Sequence, residues 1–257
     1  MKPDSPTLLR DADLERRFGG LRRLYGDAHY GRIRALRVAV VGVGGVGSWA
    51  AEALARSGVA ALTLIDLDHV SESNINRQVQ ALGATRGAAK VIALRERIAD
   101  IHPGCVVTPI EEFVDAGNWP ALLRDPVDVV IDACDQSAAK LVMAAWALAT
   151  KTDLVIAGAA GGKRRADAVT LADLADATHD PLLASLRQRL RKQHGAPRHG
   201  PIGLRCVFSR EAVAAPAEAC ASDGTLNCAG YGSSVTVTAT FGLVAAGEAI
   251  AQLLAKP

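Results

Sequence analysis

Apolar runs alternate with helical patterns through the first 160 residues of the chain. Short apolar runs rich in β-branched residues predict strands at 37–41, 61–66, 106–110, 127–132 and 153–158. Alanine- and leucine-rich stretches between them predict helices at 46–56, 90–101 and 137–150. Strands that alternate with helices predict an α/β fold with a doubly wound, mostly parallel sheet.

The pattern changes after Gly162. Residues 163–200 are basic and helical in pattern, and they end in a Gly/Pro/His/Arg stretch typical of a mobile surface loop. Residues 204–209 predict one more strand, and residues 210–230 show no regular pattern. Since no repeat or linker interrupts the chain, we predict a single domain over 1–257. Its parts would be a helical arm (1–36), a nucleotide-binding core (37–160) and a C-terminal elaboration (161–257).

The last 25 residues contain an apolar run about long enough to cross a bilayer, for which roughly 20 residues suffice. Glu248 and Gln252 interrupt this run, so we predict a buried amphipathic helix packed on the sheet rather than a membrane span. The first 20 residues carry charges throughout and lack the apolar core of a signal peptide. We therefore expect a cytoplasmic protein with no membrane partner.

Composition restricts the chemistry further. The net charge of +2 permits an anionic partner such as RNA without requiring one. The five cysteines (Cys105, Cys134, Cys206, Cys220 and Cys228) form no CxxC pair, which argues against a zinc site and fits a reducing compartment. Cys228 lies among glycines and could be exposed. Nothing near it in sequence lowers a thiol pKa, so small-residue packing is favoured over catalysis.

A glycine-rich loop follows the first predicted strand. Gly42, Gly44 and Gly47, with Gly45 between them, form the GxGxxG pattern that joins a strand to a helix and lets backbone approach a phosphate. Asp66 ends the second predicted strand, where a carboxylate accepts hydrogen bonds from ribose hydroxyls. The loop alone is compatible with either NAD or ATP.

The next stretch, "DLDHVSESNINRQVQ", favours ATP. Asn74, Arg77 and Gln78, followed by Lys90, suit a ligand with three phosphates, because Arg offers a planar fork for phosphate oxygens and Lys a mobile charge. Each residue alone is more often a solvated surface side chain. Their grouping after a ribose-binding Asp favours a binding role.

Two carboxylates, Asp132 and Asp135, follow the strand at 127–132, at the edge where open α/β sheets bind ligands. Because Mg²⁺ prefers one or two carboxylates plus phosphate oxygens, Asp135 is the candidate Mg²⁺ ligand. The alternative is that Asp135 caps the following helix.

Together, "GVGGVGS", "DLD", "SNINRQ", Lys90 and "DACD" resemble the ATP-binding series of the ubiquitin-activating-like adenylating enzymes, which include those of molybdopterin and thiamine biosynthesis. This resemblance implies a Rossmann-like ATP-binding fold. It assigns the phosphates to Gly42, Gly44, Gly45 and Gly47, the ribose to Asp66 with Asp68 beside it, the triphosphate to Arg77 and Lys90, the pocket walls to Asn74 and Gln78, and Mg²⁺ to Asp135.

A narrower resemblance extends over nearly the whole chain. "RRFGGLRRLYG", "DLDHVSESNINRQ", "HDPLLASLRQRLRK" and "TVTATFGLVAA" are similar to segments of the bacterial tRNA threonylcarbamoyladenosine dehydratases. That family uses ATP to cyclise a threonylcarbamoyl group on the adenosine beside the anticodon. The resemblance implies Arg77, Lys90 and Asp135 as catalytic residues. It also implies a homodimer in which Arg17, or its neighbour Arg16, reaches the other subunit's ATP site.

The resemblance leaves some assignments open. The basic segment Arg187–Arg198, with Lys163, Arg164 and Arg165, is either the tRNA contact or a solvated face. Cysteine desulfurase and sulfur-acceptor proteins are further candidate partners. The alternative functions are adenylation of a glycine-ended sulfur-carrier protein, against which the missing CxxC pairs argue, and an NAD-dependent oxidoreductase.

Overall fold

The computed structural model describes residues 13–214 and 231–256. The strands of these residues are β1 (Arg37–Val41), β2 (Ala61–Ile65), β3 (Val106–Ile110), β4 (Val129–Asp132), β5 (Asp153–Ala157), β6 (Val169–Asp173) and β7 (Arg205–Ser209). The helices are α1 (Leu14–Ala35), α2 (Gly47–Arg56), α3 (Lys90–Ile101), α4 (Ser137–Thr150), α5 (Pro181–Gln193) and α6 (Val235–Ala255).

The strands form one sheet in the order β3-β2-β1-β4-β5-β7-β6. All neighbours are parallel except β6, which pairs antiparallel with β7 at the edge. The order 3-2-1-4-5 is that of a doubly wound nucleotide-binding fold, so the predicted fold class is confirmed. The C-terminal segment adds two strands to this same sheet.

Helices cover both faces of the sheet. Val38 and Val40 of β1 face a core built with α2, α3 and α6, whereas Ala39 and Val41 face the core built with α4 and α5. Burial on both faces explains why the central strands are continuously apolar.

The structure refines several element boundaries. The helix predicted from residue 46 begins at Gly47, and the strand predicted from residue 127 begins at Val129. Gly58 follows the end of α2 with a φ of +75°, as a glycine at a helix C-terminus does. In the basic region 163–200, α5 is the one α-helix, and a single 3-10 turn covers Ala166–Ala168. Strand β6 was missed there because its pairing with β7 is non-local.

Residues 194–203 lie at the surface, as predicted, and the end of this stretch is held to the fold; the mobility of the loop stays a prediction. Asp173 accepts hydrogen bonds from the backbone N–H groups of Ile202 (2.8 Å) and Gly203 (2.7 Å), and Ala196 and Ile202 are buried. The stretch is therefore anchored to the sheet. Most of the irregular stretch at 210–230 lies outside the described residues.

Helix α6 packs on the sheet as predicted. Among the described helices it alone is long and apolar enough to span a membrane by length and composition. Its Gly242 allows close contact with α2, because a Cβ there would clash with the carbonyl oxygen of Val46. Glu248, which interrupts the apolar run of this helix, has a hydrogen-bond partner, because its carboxylate accepts a hydrogen bond from Arg205 at 2.8 Å.

Candidate active site

Three loops meet at the carboxyl edge of the sheet. The register aligns Val41 with Ile65 on one side and with Asp132 on the other, so the chain leaves β1, β2 and β4 at one level. The chain passes to opposite faces after β1 and β4, and such a switch point is where open α/β sheets bind ligands.

The glycine loop requires glycine at two positions. Gly42 has a φ of +81°, and a Cβ there would lie 2.9 Å from the carbonyl oxygen of Ala133 and the amide nitrogen of Cys134. A Cβ on Gly47 would clash with the carbonyl oxygen of Gly42. The close approach at Gly42 shows that the glycine loop packs directly against the loop after β4, which carries Asp135.

The N-terminus of α2 is open to an anion. Its N-cap residue, Val46, makes no side-chain capping hydrogen bond. The N–H of Ser48 donates to the carbonyl oxygen of Gly44 (3.1 Å), which leaves the N–H groups of Gly47 and Trp49 for phosphate oxygens. Gly44 lies beside Gln78, and Gly45 lies against the aliphatic stem of Arg77. The predicted loop residues and two of the predicted polar residues are thus brought together.

Asp66 fastens the glycine loop to β2. Its Oδ2 accepts a hydrogen bond from the N–H of Val43 (2.8 Å) and its Oδ1 accepts one from the N–H of Asp68 (2.9 Å). Burial raises the pKa of Asp66, against the lowering effect of Lys90. The side chain of Asp68 is 42% exposed, so it is the more accessible carboxylate for a ribose.

Lys90 is a buried site residue rather than a solvated one. A short antiparallel bridge pairs His69 with Ala89, and the N–H of Lys90 donates to the carbonyl oxygen of Asp68 (3.0 Å). The Lys90 Nζ then lies 2.7 Å from Asp68 Oδ2 and 3.9 Å from Asp66 Oδ1. This places a cation at the start of α3, beside the glycine loop.

The "SNINRQ" segment forms a tight turn that presents Arg77. Asn74 is buried, and its Oδ1 accepts a hydrogen bond from the N–H of Ser71 (3.0 Å), which shapes the turn. The Arg77 Nη1 donates to the carbonyl oxygen of Ser73 (2.7 Å) and to Asn76 Oδ1 (2.9 Å). Arg77 is half-buried at the rim of the site.

Asp135 is exposed in the loop between β4 and α4. The capping alternative is wrong, because the N-cap of α4 is Gln136 and the helix begins at Ser137. The part of the chain that the structure describes has no group of three or more His, Cys, Asp or Glu side chains able to hold a metal ion. A single exposed carboxylate is compatible with Mg²⁺, which commonly shares its ligands between protein and nucleotide.

Sequence reasoning missed the partner of Asp132. Lys140 is fully buried, and its Nζ lies 3.0 Å from Asp132 Oδ1 and 2.8 Å from the carbonyl oxygen of Ala157, so it ties α4 to the ends of β4 and β5. Burial is the largest single effect and works against the charge, but the combined attraction of Asp132 and the other nearby acidic groups raises the pKa of Lys140. A single lysine in the otherwise apolar first turns of a helix was the available signal.

A second missed residue is Gln80. It is buried, and its Nε2 donates to the carbonyl oxygen of Val43 at 2.8 Å, which supports the glycine loop from below. Nothing in the local pattern distinguishes it from Gln78, because only the fold brings position 80 to that carbonyl.

Arg17 is not brought to the ATP site of its own chain. Its Nη1 donates to the carbonyl oxygens of Asp100 (2.8 Å) and Ile101 (2.7 Å) at the C-terminal end of α3. Lys90 is the first residue of that helix, and a helix of 12 residues is about 18 Å long. The resemblance assigns Arg17 to the ATP site of a second subunit, so its distance from the site of its own chain does not test that role, which stays a prediction.

The described cysteines are not activated. Burial raises the pKa of Cys105 to about 12 and also raises the pKa of Cys134 and of Cys206. The Cys134 Sγ donates to Asp132 Oδ1 at 3.0 Å. Cys220 and Cys228 lie outside the described residues.

Part of the predicted basic surface is internal. Lys163 is buried and donates to the carbonyl oxygens of His179 and Glu211. Arg187 is half-buried and donates to two backbone carbonyls. The burial of Lys163 corrects its assignment as an RNA contact, whereas Arg187 braces a loop and its RNA contact stays a prediction. Arg164 and Arg165 are exposed.

Comparison with known proteins decides the family. The ThiF family matches residues 17–257. The tRNA threonylcarbamoyladenosine dehydratase of Escherichia coli (strain K12) is 42% identical over 252 residues, which cover 93% of this chain and 94% of the relative. The Haemophilus influenzae protein of the same name is 39% identical and covers 97% of each chain. The chain belongs to the ThiF family, among its tRNA threonylcarbamoyladenosine dehydratases.

A solved structure extends this agreement to three dimensions. The crystal structure of the E. coli tRNA N6-threonylcarbamoyladenosine dehydratase in complex with ATP has a TM-score of 0.86 to this chain at 40% identity, and it covers 95% of this chain and 97% of the other. The resemblance inferred from the motifs is confirmed. Membership of this family removes the NAD-dependent oxidoreductase as an alternative.

Proposed function

We propose that this protein is an ATP-dependent tRNA threonylcarbamoyladenosine dehydratase. The observation that carries the proposal is the convergence of an uncapped helix N-terminus, the Asp66–Asp68–Lys90 group and Asp135 at one switch point of the sheet. A relative of the same fold, named for this reaction, has been solved with ATP. The site of this chain offers a phosphate cradle, a ribose acceptor and cations.

The reaction proceeds in two displacements. The threonylcarbamoyl carboxylate attacks the α-phosphorus of ATP, which forms an acyl-adenylate and releases pyrophosphate. A carbamoyl nitrogen then attacks the activated carbonyl carbon and loses its proton, and AMP leaves with the former carboxylate oxygen. One ring closes, and the elements of water lost from the nucleoside leave with AMP and pyrophosphate.

The protein's contribution is positioning and charge neutralisation. The glycine loop and the first turn of α2 hold phosphate oxygens, while Lys90 and Arg77 meet the negative charge of the triphosphate as it is displaced. Ring closure needs no enzyme nucleophile, in keeping with the raised thiol pKa values of Cys105, Cys134 and Cys206. Asp135 would hold Mg²⁺, which when bound neutralises triphosphate charge.

The partners and the location are part of the proposal. The tRNA is a cytoplasmic molecule, so the enzyme acts in the cytoplasm. A homodimer would let Arg17 or the exposed Arg16 approach the ATP site of the second subunit. Cysteine desulfurase and sulfur-acceptor proteins remain candidate assisting partners, with no contact surface assigned to them.

The test is conversion of threonylcarbamoyladenosine-bearing tRNA by the purified protein with Mg²⁺ and ATP. We expect AMP and pyrophosphate to form in equal amounts with a nucleoside lighter by one water, and no turnover with the same tRNA lacking the threonylcarbamoyl group. Exchange of labelled pyrophosphate into ATP that depends on a glycine-ended carrier protein, and not on tRNA, would establish the sulfur-carrier alternative instead.

A further inference from the structure

Residues 181–203 form a strongly basic segment that the ATP site does not use. They include Arg187, Arg189, Arg191, Lys192 and Arg198 and contain no Asp or Glu. None of the exposed large apolar side chains among the described residues lies in this segment. Its surface therefore suits a polyanion and not an apolar protein groove or a lipid layer.

Two of the arginines build the scaffold of this segment. Arg187 Nη1 donates to the carbonyl oxygens of Leu174 (3.0 Å) and Ala177 (2.8 Å), which fastens α5 to the chain before it. Arg191 Nε donates to the carbonyl oxygen of Pro197 (3.0 Å), which folds the following loop back onto the helix. The backbone that carries the remaining cations is thus preformed, which reduces the ordering needed on binding.

The remaining cations point outward beside the ATP site. Leu183, Leu186 and Leu190 bury the inner face of α5, which leaves Arg189 and Lys192, neighbours at i and i+3, on its outer flank. Lys192 and Arg198 are exposed.

Arg189 connects this flank to the ATP site. Its Nη1 donates to the carbonyl oxygen of Ser137 at 3.1 Å. Ser137 begins α4 two residues after Asp135, and two residues span at most about 7 Å. The basic flank therefore reaches the loop that carries the candidate Mg²⁺ ligand.

We propose that Arg189 and Lys192, with Arg198 beyond them, bind the phosphate backbone of the tRNA and deliver its modified nucleoside to the Asp135 loop. This inference rests on the proposed function. A basic surface held against the mouth of the ATP site can bind the RNA and place the threonylcarbamoyl carboxylate near ATP at once. Within the basic segment that the sequence indicated as a candidate tRNA contact, this proposal selects three residues.

The experiment compares two double variants of the full chain that remove equal charge. Arg189→Gln/Lys192→Gln removes the proposed contacts. Arg95→Gln/Arg124→Gln removes two exposed cations from α3 and from the segment before β4. Filter binding of threonylcarbamoyladenosine-bearing tRNA across a potassium chloride series gives affinity and salt slope. A fluorescent ATP analogue gives nucleotide affinity, and Arg189→Lys tests whether charge alone suffices.

For Arg189→Gln/Lys192→Gln we expect tRNA affinity to fall about tenfold at moderate salt and the salt slope to flatten by about one to two units, since each lost phosphate contact removes roughly 0.7–0.9. Nucleotide affinity should stay at the wild-type value. Arg189→Lys and the control pair should keep the wild-type slope.

Two outcomes would overturn the inference. One is a salt slope equal to that of the control pair. The other is a parallel loss of nucleotide affinity, which would mean that Arg189 only supports the start of α4. Wild-type protein that binds tRNA through this flank but forms no AMP would overturn the proposed function and leave the surface in place.

Discussion

At the scale of single residues, Gly42 is constrained twice, by its φ of +81° and by the backbone of Ala133 and Cys134. We expect Gly42→Ala to lower the free energy of unfolding by about 1–3 kcal/mol because the strained backbone must shift. Nucleotide affinity should fall at least tenfold, since the shift separates the glycine loop from the Asp135 loop.

Gly83 provides the matched control for this substitution. A Cβ there meets no atom within 4 Å, and its φ is not positive. Gly83→Ala should leave urea unfolding and nucleotide binding at wild-type values. Equal behaviour of the two variants would show that the loop tolerates a side chain at Gly42.

Asp135 allows a test in which folding and chemistry separate. Because the side chain is exposed, Asp135→Ala should leave the thermal unfolding midpoint unchanged. AMP formation should fall by about a hundredfold or more, because the variant would lose the ligand of the Mg²⁺ that neutralises charge in the transition state.

Glu111 is an exposed carboxylate just beyond β3 on the same edge of the sheet, so Glu111→Ala is the control and should stay active. The measurement is AMP formation across a magnesium titration. If Asp135→Ala kept the turnover and the magnesium dependence of the wild type, the assignment of Asp135 as the Mg²⁺ ligand would be contradicted.

At the scale of elements, the pair Asp132–Lys140 joins α4 to β4 and β5 inside the protein. Lys140→Met leaves the Asp132 carboxylate buried and unpaired, so we expect a loss of about 3–5 kcal/mol in the free energy of unfolding. Adding Asp132→Asn removes the stranded charge and keeps an acceptor for Cys134, so the double variant should be more stable than Lys140→Met.

Urea denaturation of both variants measures this coupling. A double variant no more stable than Lys140→Met would mean that the lysine contributes packing and its bond to Ala157, and not charge pairing. The Arg205–Glu248 pair, in which Arg205 is partly exposed, serves as a comparison, because breaking such a pair should cost no more than about 1 kcal/mol.

At the scale of the whole molecule, α1, α3 and the turn after α2 meet at His102. Its ring lies 4.7 Å from that of Phe18, and its Nε2 is 3.0 Å from Arg34 Nη1. Burial, assisted by the charge of Arg34, lowers the pKa of His102 from its ordinary value of 6.5 to about 4. The histidine is therefore neutral in the folded protein at neutral pH.

The sign of the resulting pH dependence follows. The unfolded chain takes up a proton near pH 6.5, whereas the folded chain does so only near pH 4. The contribution of His102 to stability is complete above pH 6.5 and is lost as the pH falls toward 4. Urea midpoints at pH 7 and pH 5 should differ more for the wild type than for His102→Gln. Equal differences would assign the acid sensitivity to other groups.

The sequence by itself determined what depends on neighbouring residues. Strands buried on both faces appear as continuous apolar runs, so β1, β2 and β5 were predicted to within a residue. Gly42 and Gly47 marked a sharp turn before a helix. The polar cluster from Asp66 to Lys90 was also visible, because its members lie in one stretch of the chain.

Only the tertiary structure decided what depends on distant partners. Strand β6 needs the hydrogen bonds of β7, and Lys140 needs the carboxylate of Asp132. Arg187 acts as a brace because it donates to the carbonyl oxygens of Leu174 and Ala177. The local pattern of apolar and polar residues predicts neither how exposed a charged side chain is nor which group it pairs with. Both are decided when the burial of apolar surface brings remote segments together. Some lysines and arginines then pair with groups inside the fold, and the others stay available to bind a ligand.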